Sequence, residues 1–342
     1  MSTQLLTLLD QLDPVDRDRV RARPTPEDEL QAILASNGAA GFTEPPPRRP
    51  RLRRALLIAA AAAVVIVVGA ALLPGGDGGG ASPEAARALE SAAATAAAAD
   101  VVPAGAGEYE YSRVGQVNRT TIGAIPLTNS YSYYMPTTIE SWIAPDGSGR
   151  VREIQHAAEW PGPRDELRWR ESGHPLARRE ETTNRRYGPG ELDGRVYEAE
   201  LPPVRNLPTD PGALARVFEE ADRGDVPPNV KMFEYGTSVL LHAGAAPELR
   251  SATYEVLAGI EGVELAGKTK DPLGRTGIEV SITQEYSGNV PERYSLIYDE
   301  ETAHPLAYTE RLLEPVQYID SRLSGYTLLE ESGVVGSVAE RP

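Results

Sequence analysis

Along the chain, the spacing of hydrophobic and polar positions changes from one region to the next. Near the start, Leu5, Leu8, Leu9 and Leu12 fall on one helical face of "STQLLTLLDQLD" before Pro14 intervenes. A second stripe, Leu30, Ile33 and Leu34, follows an ordered set of start signals. Thr25 stands as N-cap, Pro26 occupies the first helical position, and Glu27 and Asp28 favour the positive end of the helix dipole. From Ala55 to Leu73 the periodicity disappears, leaving 19 residues without a charge, ten of them Leu, Ile or Val. A helix of that length spans about 28 Å, close to the roughly 30 Å hydrocarbon core of a bilayer. It lacks the polar face that a soluble core helix keeps. Arg48, Arg49, Arg51, Arg53 and Arg54 precede it and Pro74-Gly75-Gly76-Asp77 follows it. The positive flank predicts a cytoplasmic 1–54 and an exterior 74–342. The rival reading is a cleaved or twin-arginine signal, which has an apolar region of about 7–15 residues behind a short leader. Here the run is longer and the leader exceeds it severalfold.

Beyond the linker "PGGDGGGAS" the pattern alternates between periods. Ser82-Pro83-Glu84 opens a helix through "AARALESAAATAAAA". "EYEYSRVGQV" reads as a strand, "TTIESWIAPDGSGRVREIQ" as a hairpin turning at Asp146-Gly147, and "ELDGRVYEAEL" as a further strand. Three helical patterns follow. "LPTDPGALARVFEEADR" has Thr209 or Asp210 as cap and Pro211 first, and "TSVLLHAGAAPELRSATYEVLAGIEGV" holds two helices, the second starting at Pro247. In that second helix Leu249, Ala252, Val256 and Ile260 align, and Gly259 or Gly262 can stop it. "VELAGK", "GIEVSITQEY", "RYSLIYDE" and "LAYTERLL" are then joined by short polar turns, which predicts an antiparallel meander. The expected fold class is α+β: a curved antiparallel sheet with helices packed on one face. The expected organisation is a cytoplasmic helical segment at 1–47, a basic flank at 48–54, a transmembrane helix at 55–73, a Gly-rich linker at 74–82 and an extracytoplasmic domain at 83–342.

Charge sharpens this division. Residues 1–54 carry nine Arg against eight Asp and Glu, whereas 74–342 carry 25 basic and 42 acidic residues. A body of that sign argues against nucleic-acid binding, which needs a basic surface. There is no cysteine, which removes disulfides, thiolate metal sites, a cysteine nucleophile and a lipid-modified cysteine behind the apolar run. Arg outnumbers Lys by 31 to 3, a codon signature of a GC-rich bacterial genome.

Candidate chemistry is sparse. His156, His174, His242 and His304 are not at metal-ligand spacing, and "GTSVL" around Ser238 lacks the second glycine of a nucleophile elbow. No cofactor, metal or catalytic residue is expected. The irregular stretch from Trp160 to Tyr187 stands out, with seven Arg between 164 and 186 and two Trp. Arg and Trp favour recognition surfaces, so Trp160, Arg168, Trp169, Arg170, Arg185 and Arg186 are the candidate exterior recognition residues. The alternative is a loop whose arginines pair with Asp165, Glu166, Glu171, Glu180 and Glu181. In the leader, Leu5, Leu8, Leu9, Leu30, Ile33 and Leu34 are candidates for docking a cytosolic partner. Two helices that pack only on each other, or a leader that only sets topology, remain the alternatives.

The leucine-rich acidic leader, the Arg run before an Ala/Val membrane helix, "LPTDPGALARVF" and "YEVLAGIEGVELAGKTKDPLGRTGIEVSI" together resemble an actinobacterial family of mostly uncharacterised single-pass membrane proteins with an anti-sigma-factor-like layout. The most specific part is residues 254–283. The resemblance implies the topology and a β-rich exterior domain, and brings no catalytic residues. The leader has no His or Cys, so the zinc-binding anti-sigma arrangement is absent. A looser likeness, in architecture alone, is to half-barrel carriers and sensors of the bacterial envelope that hold acyl chains. The expectation is therefore a non-enzymatic single-pass cell-membrane protein. Its exterior domain would bind an envelope ligand or protein, and its leader a cytosolic partner, a sigma factor being the candidate. The alternatives are a membrane-anchored carrier or scaffold for lipid or glycolipid, which requires an apolar cavity between sheet and helices, and, third, an envelope hydrolase.

Overall fold

A computed structural model describes residues 80–99, 103–123, 130–172, 180–192, 201–221, 226–242, 244–286, 290–314 and 322–342. The docking leucines of the leader, the arginine flank, the apolar run at 55–73 and most of the linker lie outside these residues. So does most of the strand expected at "ELDGRVYEAEL". Among the described residues no helix is long and apolar enough to cross a membrane.

Proline-led starts set the helices. Helix α1 (Pro83–Ala97) begins where the Ser82 hydroxyl accepts the Ala85 N–H at 3.2 Å. Helix α3 (Pro211–Glu220) begins where the Asp210 carboxylate accepts the Ala213 N–H at 2.8 Å. Each such cap is worth about 1 kcal/mol, and a proline at the first position loses nothing because its N–H would be unpaired there. Helix α4 (Pro228–Leu241) starts well before the predicted "TSVLL", again at a proline. Helix α5 (Pro247–Ala258) starts where predicted, and Leu249, Ala252, Val256 and Ile260 are all buried.

Among the described residues, nine strands form one antiparallel sheet: β1 (Tyr109–Ile122), β2 (Tyr131–Ile143), β3 (Gly149–Gln155), β4 (Glu181–Tyr187), β5 (Val263–Lys270), β6 (Thr276–Tyr286), β7 (Val290–Tyr298), β8 (Pro305–Leu312) and β9 (Leu323–Val335). Their order is β4-β3-β2-β1-β9-β8-β7-β6-β5. Two meanders, β1 to β4 and β5 to β9, are thus joined where the first strand pairs with the last. The predicted hairpin turns at Asp146-Gly147, where Gly147 takes φ 76°, a left-handed conformation that a Cβ disfavours. The meander of β5 to β8 follows the predicted strands in sequence and in pairing.

Among the described residues, helices cover only part of one face, here called inner. Leu89 of α1, Phe233 and Leu240 of α4, and Tyr254 and Leu257 of α5 pack with Val263, Val280, Ile282 and Leu296 of β5 to β7. Helix α3 forms a second layer, its Leu214 and Phe218 packing with Val239, Leu249 and Val256. A further helix, α2 (Pro163–Glu171), lies against β2. The stretch expected to be irregular therefore contains this helix and strand β4. Its polar sequence hides both, because neither has an apolar stripe: Asp165 is the buried residue of α2, and most of β4 is exposed.

On the outer face, the residues after β9 cover part of β2 and β3. The Trp142 indole N–H donates to the Glu340 carbonyl at 2.7 Å, and an Arg150 N–H donates to the Val338 carbonyl at 3.0 Å. Beneath them Glu140, 0% exposed, receives Arg341 at 2.7 Å, Arg152 at 2.9 Å and the Tyr111 hydroxyl at 3.0 Å. Burial alone would raise the Glu140 pKa. The hydrogen bonds from Arg341, Arg152 and Tyr111 outweigh it and hold the carboxyl below its ordinary range.

Candidate functional site

Strand register carries two rows of side chains across the inner face. One runs Val280, Leu296, Tyr308, Thr327, Gln116, Thr137; the next runs Ile282, Tyr294, Glu310, Gly325, Asn118, Met135. Both rows change character at β8. Their β6 and β7 members pack in the core beneath the helices, while their β9, β1 and β2 members are mostly polar and partly exposed. Glu310 and Tyr308 stand at the border. Gly325 has no room for a side chain, since a Cβ there would approach the Val117 carbonyl oxygen to 2.9 Å and Asn118 Oδ1 to 3.1 Å.

The border is acidic and rich in tyrosine. Burial first, then Glu292 and Glu234, push the Glu310 carboxyl up to about 7. The Tyr294 hydroxyl donates to Glu292 Oε2 at 3.2 Å, and Lys231 pairs with Glu234 across 3.0 Å on α4. The Tyr308 hydroxyl lies beside Glu310 but outside hydrogen-bond geometry, and burial raises its pKa well above the ordinary value. A carboxyl poised near neutrality can donate or accept a hydrogen bond at little cost, so this border suits a polar ligand.

An aromatic platform bounds the uncovered floor on its other side. Trp160 lies 5.9 Å from Tyr133 and 6.5 Å from Tyr131, and 4.7 Å from Trp169 of α2. Asp165, 1% exposed, accepts the Ser132 N–H at 2.6 Å, and an Arg168 N–H donates to the Ser130 carbonyl at 2.6 Å. These two bonds fix α2 to the start of β2. Tyr131 is 2% exposed and its hydroxyl has no hydrogen-bond partner. From Tyr133 to Glu310 is two residues along β2 and three strands across, on the order of 15 Å.

The structure brings Trp160, Arg168 and Trp169 together on this platform. Arg170 turns away to pair with Glu166 at 2.7 Å. Arg185 and Arg186 are exposed on β4, opposite Val151 and Arg150 and on alternate faces. The carboxyl–tyrosine border has no counterpart in the sequence reading. Its members come from positions 234, 292, 294, 308 and 310 on α4, β7 and β8, and only the tertiary fold assembles them.

The described histidines are dispersed, and His174 lies outside the described residues. His156 Nε2 lies 3.0 Å from the Thr138 hydroxyl. His242 ends α4, its Nδ1 accepting the Gly244 N–H at 3.1 Å, and burial lowers its pKa to about 4. His304 stands before β8 and is also lowered to about 4, by burial and then by Arg250 and Arg275. Among the described residues no group of His, Asp and Glu could hold a metal ion.

No protein-family model matches the chain, and no curated protein matches it. Solved structures do. The MucA/MucB complex of Pseudomonas aeruginosa is 14% identical, with 76% of this chain and 58% of that chain covered and a TM-score of 0.26. MucB in complex with MucA(peri) is 12% identical, covering 75% and 57%, and MucB alone is 12% identical, covering 76% and 60%, each with a TM-score of 0.26. This chain thus spans less than two thirds of those chains. A superposition of that quality carries none of their partners or activities to this protein.

Proposed function

We propose that this chain is a non-enzymatic, single-pass membrane protein of the bacterial envelope. Residues 55–73 cross the bilayer, residues 1–47 dock a cytosolic protein, a sigma factor being the candidate, and the domain of β1 to β9 binds a polar envelope ligand or protein segment. The topology rests on the charge-free apolar run behind its arginine flank.

One observation supports the binding part: among the described residues the inner face is only partly covered. The helices take the apolar β5–β7 part and leave a floor of Gln116, Asn118, Thr137 and Thr327. That floor is bounded by an aromatic platform and a titratable border. Rigid rings at one side and polar floor groups suit a ligand with both apolar and hydrogen-bonding parts. The carrier alternative needs apolar surface where an acyl chain would lie, and the uncovered floor is polar.

A photoreactive amino acid in place of Thr327 tests this in intact cells, with Tyr326 on the opposite face as control. Adducts to one defined protein or polar ligand from 327 and not from 326 support the reading. Adducts to lipid alone would replace it with the carrier, and equal labelling from both positions would reject a site on this face. For the leader, deletion of residues 1–47 should change transcription, and an unchanged transcriptome counts against docking.

A further inference from the structure

On the outer face, away from the helices, Arg293 of β7 and Arg311 of β8 are direct cross-strand partners. Like charges placed opposite one another destabilise a sheet unless something neutralises them. Both line a cavity of about 300 Å³, to which Lys270 and Arg322 add two more cations. One carboxylate shares the lining, Glu279, and its Oε1 already accepts the Ser295 hydroxyl at 2.8 Å. The Arg293 Nε is buried and has no hydrogen-bond partner.

Composition makes this arrangement unexpected. Residues 74–342 hold 42 acidic against 25 basic residues, so a basic side chain has abundant partners. Among the described residues the ion pairs engage Arg113, Arg152, Arg170, Lys231, Lys268, Arg275 and Arg341, and none of the four cations of this cavity. Convergent arginine forks match the oxygens of a phosphate, which they bind in bidentate fashion. Ile297 and Leu313 supply apolar lining beside the charges. The volume is at the lower end for small-molecule sites.

We propose that this cavity binds a small phosphate-bearing ligand, its phosphate held by Arg293 and Arg311 with Lys270 and Arg322 beside them. The site stands on the face opposite the binding floor and does not depend on that reading. A free phosphomonoester and a phospholipid headgroup share the chemistry.

The test uses the full chain in a lipid-free nonionic detergent, titrated with inorganic phosphate and with glycerol phosphate at constant ionic strength. Saturable binding should weaken about tenfold or more in Arg293→Gln and in Arg311→Gln, the loss expected for one charge-assisted contact. Arg216→Gln, exposed on α3, should bind as the parent does. A second arm compares capture by vesicles of phosphatidylglycerol and of phosphatidylcholine. Selective capture by the anionic vesicles, lost in the same two variants, supports the proposal with a headgroup as the source. Without phosphate, Arg311→Gln should unfold at no lower temperature than the parent, because it relieves the like-charge pair. Binding retained by both variants, binding lost equally in Arg216→Gln, or no binding in either arm overturns the proposal.

Discussion

Glu310→Gln isolates the border carboxyl from the rest of the domain. The Glu310 pKa moves from 4.5 to about 7 through burial, Glu292 and Glu234. At about 1.4 kcal/mol per unit, the ionised form costs at most about 3 kcal/mol of folding stability. A raised carboxyl pKa means that the folded state holds the proton more tightly than the unfolded chain. This group's contribution is therefore greatest below about pH 4.5. It falls as pH rises through the window from 4.5 to about 7, and is flat above it. Glutamine keeps the shape and removes the titration. The stability difference, variant minus parent, should therefore grow by up to about 3 kcal/mol across that window and then level off. In melting temperature that is a gap on the order of 5–10 °C for a domain of this size. Unfolding of both proteins across the pH range, followed by circular dichroism, measures it. Titrating groups that do not interact with Glu310 cancel in the difference, and those that do, Glu292 and Glu234, add to it only through their coupling with this carboxyl. A gap that does not change with pH, or one that closes as pH rises, would refute the account of Glu310.

The buried outer-face carboxylate should respond with the opposite sign. Because Arg341, Arg152 and Tyr111 hold Glu140 below its ordinary range against its burial, its contribution is present above the unfolded value and lost as pH falls through the folded one. Glu140→Gln should cost about 2–3 kcal/mol at neutral pH, discounted from the figure for a fully buried pair because both arginines reach solvent; chemical denaturation at neutral and acid pH would show the penalty shrinking in acid. Asp165→Ala should cost about 1–3 kcal/mol by leaving the buried Ser132 N–H without its acceptor, and should shift tryptophan emission to the red as α2 loosens from β2. An unchanged emission spectrum would mean that this bond does not hold the platform.

Where local chemistry decides an element, the sequence was readable. Ser82, Asp210 and the prolines after them announce helix starts, Asp146-Gly147 announces a hairpin, and the short polar turns between β5 and β8 announce the meander. Where burial is one-sided and polar, the signal fades. Strand β9 carries mixed half-buried positions and irregular register against both neighbours, so no clean alternation marks it. Strand β4 is mostly exposed and shows no apolar face at all. Trp160, Arg168 and Trp169 stand out in the sequence because they fall within ten positions of one another. The border around Glu310 does not, since Glu234 and Glu310 meet only after a helix and two strands have packed.

The pairing of β1 with β9 has a consequence for the order in which the protein can come into being. Strands β1 to β4 can zip together as they emerge, and β5 to β8 likewise, each by short hairpins or local crossings. The floor between them cannot exist until β9 arrives, because Gly325 and Thr327 belong to it and sit between Asn118 or Gln116 on one side and Glu310 or Tyr308 on the other. Joining strands this distant in sequence is slow compared with hairpin closure. A nascent chain halted before β9 would thus carry two half-sheets with no joined inner face, and only the arrival of the last strand can complete it.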